Sequence, residues 1–247
     1  MKLPKMILFD NGGTLMTVDP DFDSLRVTRA IIPHIIKNPL ELTAEQIDLS
    51  VQEVFREIQP LRAAGFELHE WMLAKLAYGR LGIEFDISMA EFERIIWDEM
   101  SPGAITPNID KLIDYLNTVG IRTGVVSNVV FSGQALSDRL NRLIPNNEFE
   151  FVIASSEYAV RKPNISLFLI AAFKSGLSSD QIWYCGDNMA NDVIGSHNAG
   201  MFPVLYEGIR PNNRTANSSG PNEKEDFDFL RISDWEEMIE ILKSAKE

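Results

Sequence analysis

Met6-Ile7-Leu8-Phe9 is a run of four apolar residues with no polar alternation, closed by Asp10 and a Gly12-Gly13 turn. A short continuous run of this kind predicts a strand buried on both faces. Four more follow at residues 121–127, 149–154, 182–185 and 202–205, with a weaker sixth around 227–232. Between them, helical apolar spacing covers residues 109–118, 165–175, 191–198 and 235–242. Strands alternating with helices predict an α/β protein, a parallel sheet with helices on both faces.

Residues 18–98 follow a different pattern, with helical spacing and few plausible strands. Helices are predicted over 25–36, 44–58, 70–78 and 90–97. Thr43, with Gln46 three residues on, has the form of a capping box for the second. Pro33 falls inside the first and predicts a kink or a split. Ser101-Pro102-Gly103 marks the exit from this block. The organisation read from these patterns is a core domain at 1–17 and 99–247 with a helical cap inserted at 18–98. Asn212 to Glu225 is polar, with Gly, Pro and Ser, and reads as a loop.

Composition narrows the choice of partner. The 247 residues carry 23 Lys+Arg against 36 Asp+Glu, a formal net charge of −13. A field of that sign repels nucleic acid and anionic membrane, so neither is expected as a partner. It repels phosphate esters too, so a phosphate site must carry its own positive charge. The single cysteine, Cys185, rules out a disulfide framework within the chain and reads as a buried strand residue in a reducing, cytoplasmic protein. No apolar run reaches the length of a membrane span. Monomer and homodimer are both compatible with the sequence.

Four segments near predicted strand ends carry candidate chemistry. They are Asp10-Asn11-Gly12-Gly13-Thr14-Leu15, Ser127-Asn128, Arg161-Lys162-Pro163, and Gly186-Asp187 through Asn191-Asp192. Ligands of open parallel sheets bind at the carboxyl ends of strands. If the four converge, glycines let backbone N–H groups approach an anion, while a Ser hydroxyl and a Lys ammonium hold phosphate oxygens. Three carboxylates beside a phosphate dianion would then face one lysine. At an effective dielectric of about 20, each like-charge pair at roughly 4 Å costs on the order of 4 kcal/mol. A hard divalent cation, Mg²⁺ above all, removes most of that repulsion. Asp10 would then be placed to attack phosphorus as a carboxylate nucleophile.

In order and spacing these segments resemble the haloacid-dehalogenase-like hydrolase superfamily, in the subgroup whose helical cap follows the first motif. The resemblance covers essentially the whole chain and is densest from Lys162-Pro163-Asn164 through Gly186-Asp187 to Asn198-Ala199-Gly200. It implies a Rossmann-like three-layer core and a hydrolase of a small phosphorylated metabolite. It also implies Asp10 as nucleophile, Ser127 as a phosphate ligand, and Lys162 as the neutralising cation. Asp187 would coordinate Mg²⁺, and Asp192 would position metal-bound water or Lys162. The Gly12 carbonyl and Asp10 complete the implied metal ligands. Backbone N–H groups near Asn11 and Gly12 would face the phosphate, with Asn128 beside Ser127 in the same loop.

One position departs from the phosphatase pattern. Those enzymes usually place a second Asp two residues after the nucleophile, where this chain has Gly12. General acid–base help is typically worth about 10²–10⁴-fold. A cap residue such as His34, His69 or Glu70 would have to replace it, or the substrates would need good leaving groups. Otherwise the chain would be a weakly active or non-catalytic binder of phosphometabolites. Phosphonate-cleaving relatives also carry a small residue there and need a cap lysine, for which Lys37 and Lys75 are available. Asp187 and Asp192 count against dehalogenation, since dehalogenases of the family generally lack that acidic motif. The cap histidines read as surface or packing residues, and Trp71, Phe92 and Trp97 as core packing.

Overall fold

The computed structural model describes residues 2–17, 23–101, 103–208 and 226–245. The expected loop from Asn212 to Glu225, and Pro102, lie outside those residues. Strand β1 (Met6–Phe9) is fully buried. Its side chains alternate between two apolar clusters. Ile7 and Phe9 face one, which holds Trp235, and Met6 and Leu8 face the other, which holds Phe168. That is period two with both faces covered, as the unbroken apolar run predicts.

Five further strands join it in parallel: β4 (Arg122–Ser127), β5 (Phe149–Ala154), β6 (Ile182–Gly186), β7 (Phe202–Tyr206) and β8 (Leu230–Ile232). The order across the sheet is β5-β4-β1-β6-β7-β8. Helices α5 (Ile109–Val119) and α9 (Trp235–Ser244) cover one face, and α7 (Ile165–Ser175) covers the other. The protein is thus an α/β, Rossmann-like fold, with the chain order reversing across β1. At such a reversal the loops leaving adjacent strands part and open a crevice.

Residues 24–100 hold α1 (Ser24–Ile31), β2 (Ile35–Lys37), α2 (Ala44–Ala63), α3 (Glu70–Leu81), β3 (Glu84–Phe85) and α4 (Met89–Met100). Thr43 and Gln46 form the full capping box. Pro33 does more than kink the first helix: α1 stops at Ile31, a 3₁₀ turn spans Ile32–His34, and Ile35 starts β2. β2 and β3 make a small antiparallel sheet in a block where few strands were expected, and β2 takes the end of the helix predicted over 25–36. Phe92 and Trp97 are buried, but Trp71 is 37% exposed and packs at a tilt against His69. No described helix is long and apolar enough to cross a membrane.

Two elements depart further from expectation. Helix α6 (Gly133–Leu143) was not anticipated; only Leu136 and Leu140 give it a fully buried apolar stripe. The helix expected at 191–198 begins as a π-helical turn, Met189–Ile194, before α8 (Gly195–Asn198). That wider turn carries Asp192 into the interior, where it is 1% exposed.

Candidate active site

Asp10 follows β1 directly, and its N–H donates to the Cys185 carbonyl on β6 at 2.8 Å. β4 lies on the other side, with Phe9 opposite Val125, so Ser127 ends the neighbouring strand. Asp187 follows β6. Sheet register alone thus sets three of the candidate segments side by side.

Lys162 joins them. Its Nζ lies 2.7 Å from Asp10 Oδ1, 2.7 Å from Asp192 Oδ1 and 2.7 Å from the Tyr184 hydroxyl. An ammonium has three protons to donate, and each has an acceptor here. The lysine is 3% exposed. Burial pushes its ammonium down, but Asp10 and Asp192 outweigh that and hold it above its ordinary value. Asn128 fixes the lysine's main chain from the β4 loop. Its side-chain oxygen accepts the Lys162 N–H at 2.7 Å, and its amide donates to the Lys162 carbonyl at 3.0 Å. The Asn128 side chain is therefore committed to Lys162, whereas the sequence reading put it beside the phosphate.

Asp192 is held at both oxygens, one by Lys162 and the other by the Asn188 N–H at 3.0 Å. Burial lifts its carboxyl above the usual range, with Lys162 pulling the other way. Asp187 is pushed up to about 7, by desolvation first and then by the charges of Asp10 and Asp192. Its outer edge nevertheless stays open to solvent. One carboxylate oxygen from each of Asp10, Asp187 and Asp192 falls within 4.8 Å of the others.

Two glycines make the cluster sterically feasible. A Cβ on Gly13, which sits at φ +85°, would stand 2.5 Å from Asp187 Oδ2. A Cβ on Gly186 would meet the Asp192 carboxyl group at a similar separation. Gly12 is exposed at the loop, and Asn11 is 7% exposed, its side-chain oxygen unpartnered among the described residues.

No sequence signal marks Tyr184, which reads as one more apolar strand residue. Its hydroxyl accepts from Lys162 and donates to the Val126 carbonyl at 2.8 Å, bridging β6 to β4 beneath the cluster. Cys185 is buried, and burial pushes its thiol up, out of the reactive range. His34 faces Asp86 at 3.5 Å, and His69 caps α3 by accepting the Trp71 N–H at 3.2 Å. Both are accounted for by local structure. Glu70 is different: it is buried and lines a cavity under the helical block.

Similarity to known proteins points the same way as the fold. The family model described as haloacid dehalogenase-like hydrolase matches residues 32–205. A relative from Methanothermobacter thermautotrophicus, named glyceraldehyde 3-phosphate phosphatase, is 26% identical over 96% of this chain and 99% of its own. Among solved structures, a HAD phosphatase from Thermococcus onnurineus superposes with a TM-score of 0.60 at 20% identity, covering 96% of this chain and 97% of that one. A 2-haloacid dehalogenase from Pseudomonas syringae pv. Tomato reaches the same TM-score, 0.60, at 16% identity, covering 98% and 99%. Equal scores for two chemistries mean that the likeness speaks to fold alone.

Proposed function

This chain belongs to the haloacid dehalogenase-like hydrolase family, and from that premise we propose that it is a phosphatase, a Mg²⁺-dependent hydrolase of a small phosphorylated metabolite. The observation that carries the reading is Lys162 Nζ at 2.7 Å from both Asp10 and Asp192, with Asp187 in the same carboxylate cluster. Such a grouping is difficult to explain as packing, because it concentrates three anions around one cation. The phosphatase name of the Methanothermobacter relative supports the same choice.

The donor set fits Mg²⁺, being all oxygen and rich in negative charge. Asp10, Asp187 and the Gly12 carbonyl would hold the ion; Asp192 is already engaged by Lys162 and Asn188. When bound, the ion would offset phosphate charge and polarise the phosphoryl group.

The chain's own residues would do the rest. A carboxylate oxygen of Asp10 attacks phosphorus while the bond from phosphorus to the leaving oxygen breaks, giving an aspartyl-phosphate. N–H groups around Asn11 and Gly12 and the Ser127 hydroxyl receive the phosphoryl oxygens. Lys162, fixed by Asn128, Asp192 and Tyr184, keeps a positive charge beside the attacking oxygen. Water then cleaves the aspartyl-phosphate and restores Asp10. Residues 18–98 would act as a cap that shields the reaction from bulk water.

Gly12 supplies no proton to the leaving oxygen. Acyl phosphates and other esters with good leaving groups are therefore expected to react fastest. The phosphonate-cleaving alternative needs a cap lysine, and it loses support because Lys37 pairs with Glu84 at 2.5 Å, Lys75 is exposed, and neither lines the cavity.

Phosphate release from a panel of esters and acyl phosphates, with and without Mg²⁺, tests the reading. Asp10→Asn is expected to lower turnover by at least about 10³-fold while the circular dichroism spectrum is unchanged. Retained turnover in that variant would remove Asp10 as nucleophile. Ligand binding without turnover of any substrate would favour the non-catalytic reading.

A further inference from the structure

Between the helical block and the loop after β4 lies a cavity of about 710 Å³. Its walls are mostly apolar, with Val51 and Phe55 from α2, Leu73 and Ala77 from α3, and Phe131 from the loop. It ends at Asn128, one residue beyond Ser127. The carboxylate cluster does not line it, so the cavity adjoins the phosphate-handling groups without containing them.

Among the described residues that line it, Glu70 stands out as a buried carboxyl with no hydrogen bond or ion pair, whereas Arg62, whose Nε also lacks a hydrogen bond, is paired with Glu67 at 3.2 Å. Glu70, the first residue of α3, is 6% exposed, and its carboxyl forms neither hydrogen bond nor ion pair with any described residue. Asp48, in the same wall, shows the contrast. It accepts from Ser24 and Thr28 at 3.1 Å each and from Gln52 at 2.7 Å. Burial, then the charge of Glu93, pushes the Glu70 carboxyl up to about 7, with Arg62 opposing. Its main chain is fixed, for the Glu70 N–H donates to the Val130 carbonyl at 2.7 Å. That bond fixes the start of α3, and so the backbone that carries the carboxyl, relative to the strand end. Buried polar groups are nearly always paired, and an unpaired one facing a cavity calls for a ligand that completes it.

We propose that this cavity receives the organic part of a phosphate ester larger than a triose phosphate, mostly apolar and carrying one hydroxyl or amine that donates to Glu70. The inference rests on the phosphatase reading for its phosphate. Size argues for it. Glyceraldehyde 3-phosphate has about ten non-hydrogen atoms; at the ~30 Å³ that one water occupies in the liquid, these fill about 300 Å³. That is under half of the cavity, and the phosphate itself belongs outside it. The walls argue for it as well, because apolar surface favours carbon over the hydroxyls of a sugar. Glu70 then reads a single donor, a recognition that discriminates strongly, since a ligand lacking the donor leaves the carboxyl unpaired.

The test compares kcat/KM of the full chain with Mg²⁺ for glyceraldehyde 3-phosphate, 4-phenylbutyl phosphate, and the 4-hydroxyphenyl and 4-aminophenyl analogues of the latter. The phenylbutyl ester is expected to exceed the triose phosphate at least tenfold. At least one donor-bearing analogue is expected to exceed the plain ester fivefold or more. A triose phosphate turned over as well as the larger esters overturns the proposal and leaves the phosphatase reading intact. Glu70→Leu is expected to bring the ratio of donor-bearing to plain ester down to about one, while Glu70→Gln, which keeps an acceptor, retains part of it. A merely structural role would lower both esters together, so an unchanged ratio in Glu70→Leu removes Glu70 from recognition. Calorimetry with the unphosphorylated alcohols separates the two readings. Saturable binding with no hydrolysis of these esters or of an acyl phosphate keeps the cavity assignment and drops the phosphatase; no binding of any alcohol overturns the cavity assignment.

Discussion

Arg161 and Lys162 are neighbours in the chain and serve opposite assemblies. Lys162 is one cation among three carboxylates, Asp10, Asp187 and Asp192. Arg161 is one of two cations on a single carboxylate. Glu67, whose side chain is fully buried, lies 2.6 Å from Arg161 and 3.2 Å from Arg62. Both clusters are built from buried charge, so burial alone does not separate a reactive site from a clamp. The balance of charge does. The Lys162 cluster keeps an excess of anions and one open edge, at Asp187. The Glu67 cluster is closed by its own cations. It ties the loop after α2 to the loop before α7, reinforced by main-chain bonds from Glu67 N–H to the Ala159 carbonyl and from Arg161 N–H to the Gly65 carbonyl.

The comparison can be broken at either end. The largest effect is expected from Lys162→Met, which strands Asp10 and Asp192 without their cation. Loss of one partner of a buried pair typically costs about 3–5 kcal/mol. Urea unfolding should report a destabilisation of that order, and phosphate release should vanish with it. Lys162→Arg should not restore turnover, because a guanidinium fork does not reproduce three separate ammonium bonds. Glu67→Gln is the matched experiment on the clamp. It removes the charge behind the Arg161 hydrogen bond and the Arg62 ion pair, and a loss of roughly 2–3 kcal/mol in stability is expected. Turnover at 25 °C should fall much less than in Lys162→Met; an equal fall would mean that the clamp sets the geometry of the lysine.

Gly12→Asp sharpens the contrast by adding a proton carrier to the open cluster. Its rate on a simple alkyl phosphate, relative to an acyl phosphate, should rise about tenfold or more. A ratio that does not move would count against the missing proton as the limiting element. The smallest effect concerns Glu70. Its folded carboxyl titrates near 7, above the ordinary value of 4.5, so the folded state binds the proton more tightly than the unfolded one. Its contribution to stability is present at low pH and is lost as pH rises from about 4.5 through 7. The groups facing it are Glu93 on α4 and Arg62 on α2. Melting curves of wild type and Glu70→Gln across that window should differ in slope by at most about 1.4 kcal/mol per pH unit. Parallel curves would place the Glu70 pKa outside the window.

Much of this architecture is legible in the sequence, for physical reasons that also explain what is not. β1, β5 and α7 fall on the residues that their apolar patterns predict, because β1 is an uninterrupted run, β5 is broken only by the exposed Glu150, and α7 is a helix with clear ends. For α7 those ends are Asn164 at the start and Gly176 in the left-handed conformation. The convergence of Asp10, Ser127 and Asp187 can be anticipated because each lies at the end of a strand of one sheet, so register brings them together; Lys162, eight residues past β5, is brought in by its loop and by Asn128. Tyr184 is invisible in sequence, since its hydroxyl matters only in relation to a lysine 22 residues earlier. β2 and β3 are too short for periodicity, and their pairing joins residues far apart in the chain. The cavity leaves no motif at all, because α2, α3, α4 and the β4 loop each contribute a few side chains to it.

The two glycines that admit Asp187 and Asp192 have a consequence for descent. At Gly13 and at Gly186 a single methyl group would collide with a carboxylate of the cluster. Drift can recolour most loops without harm, but at these two positions the smallest available substitution already pries the anions apart. Divergent copies of this chain can therefore be sorted before any activity is measured. A copy with alanine at either position has left the chemistry behind, even where Asp10, Lys162, Asp187 and Asp192 are all still spelled out.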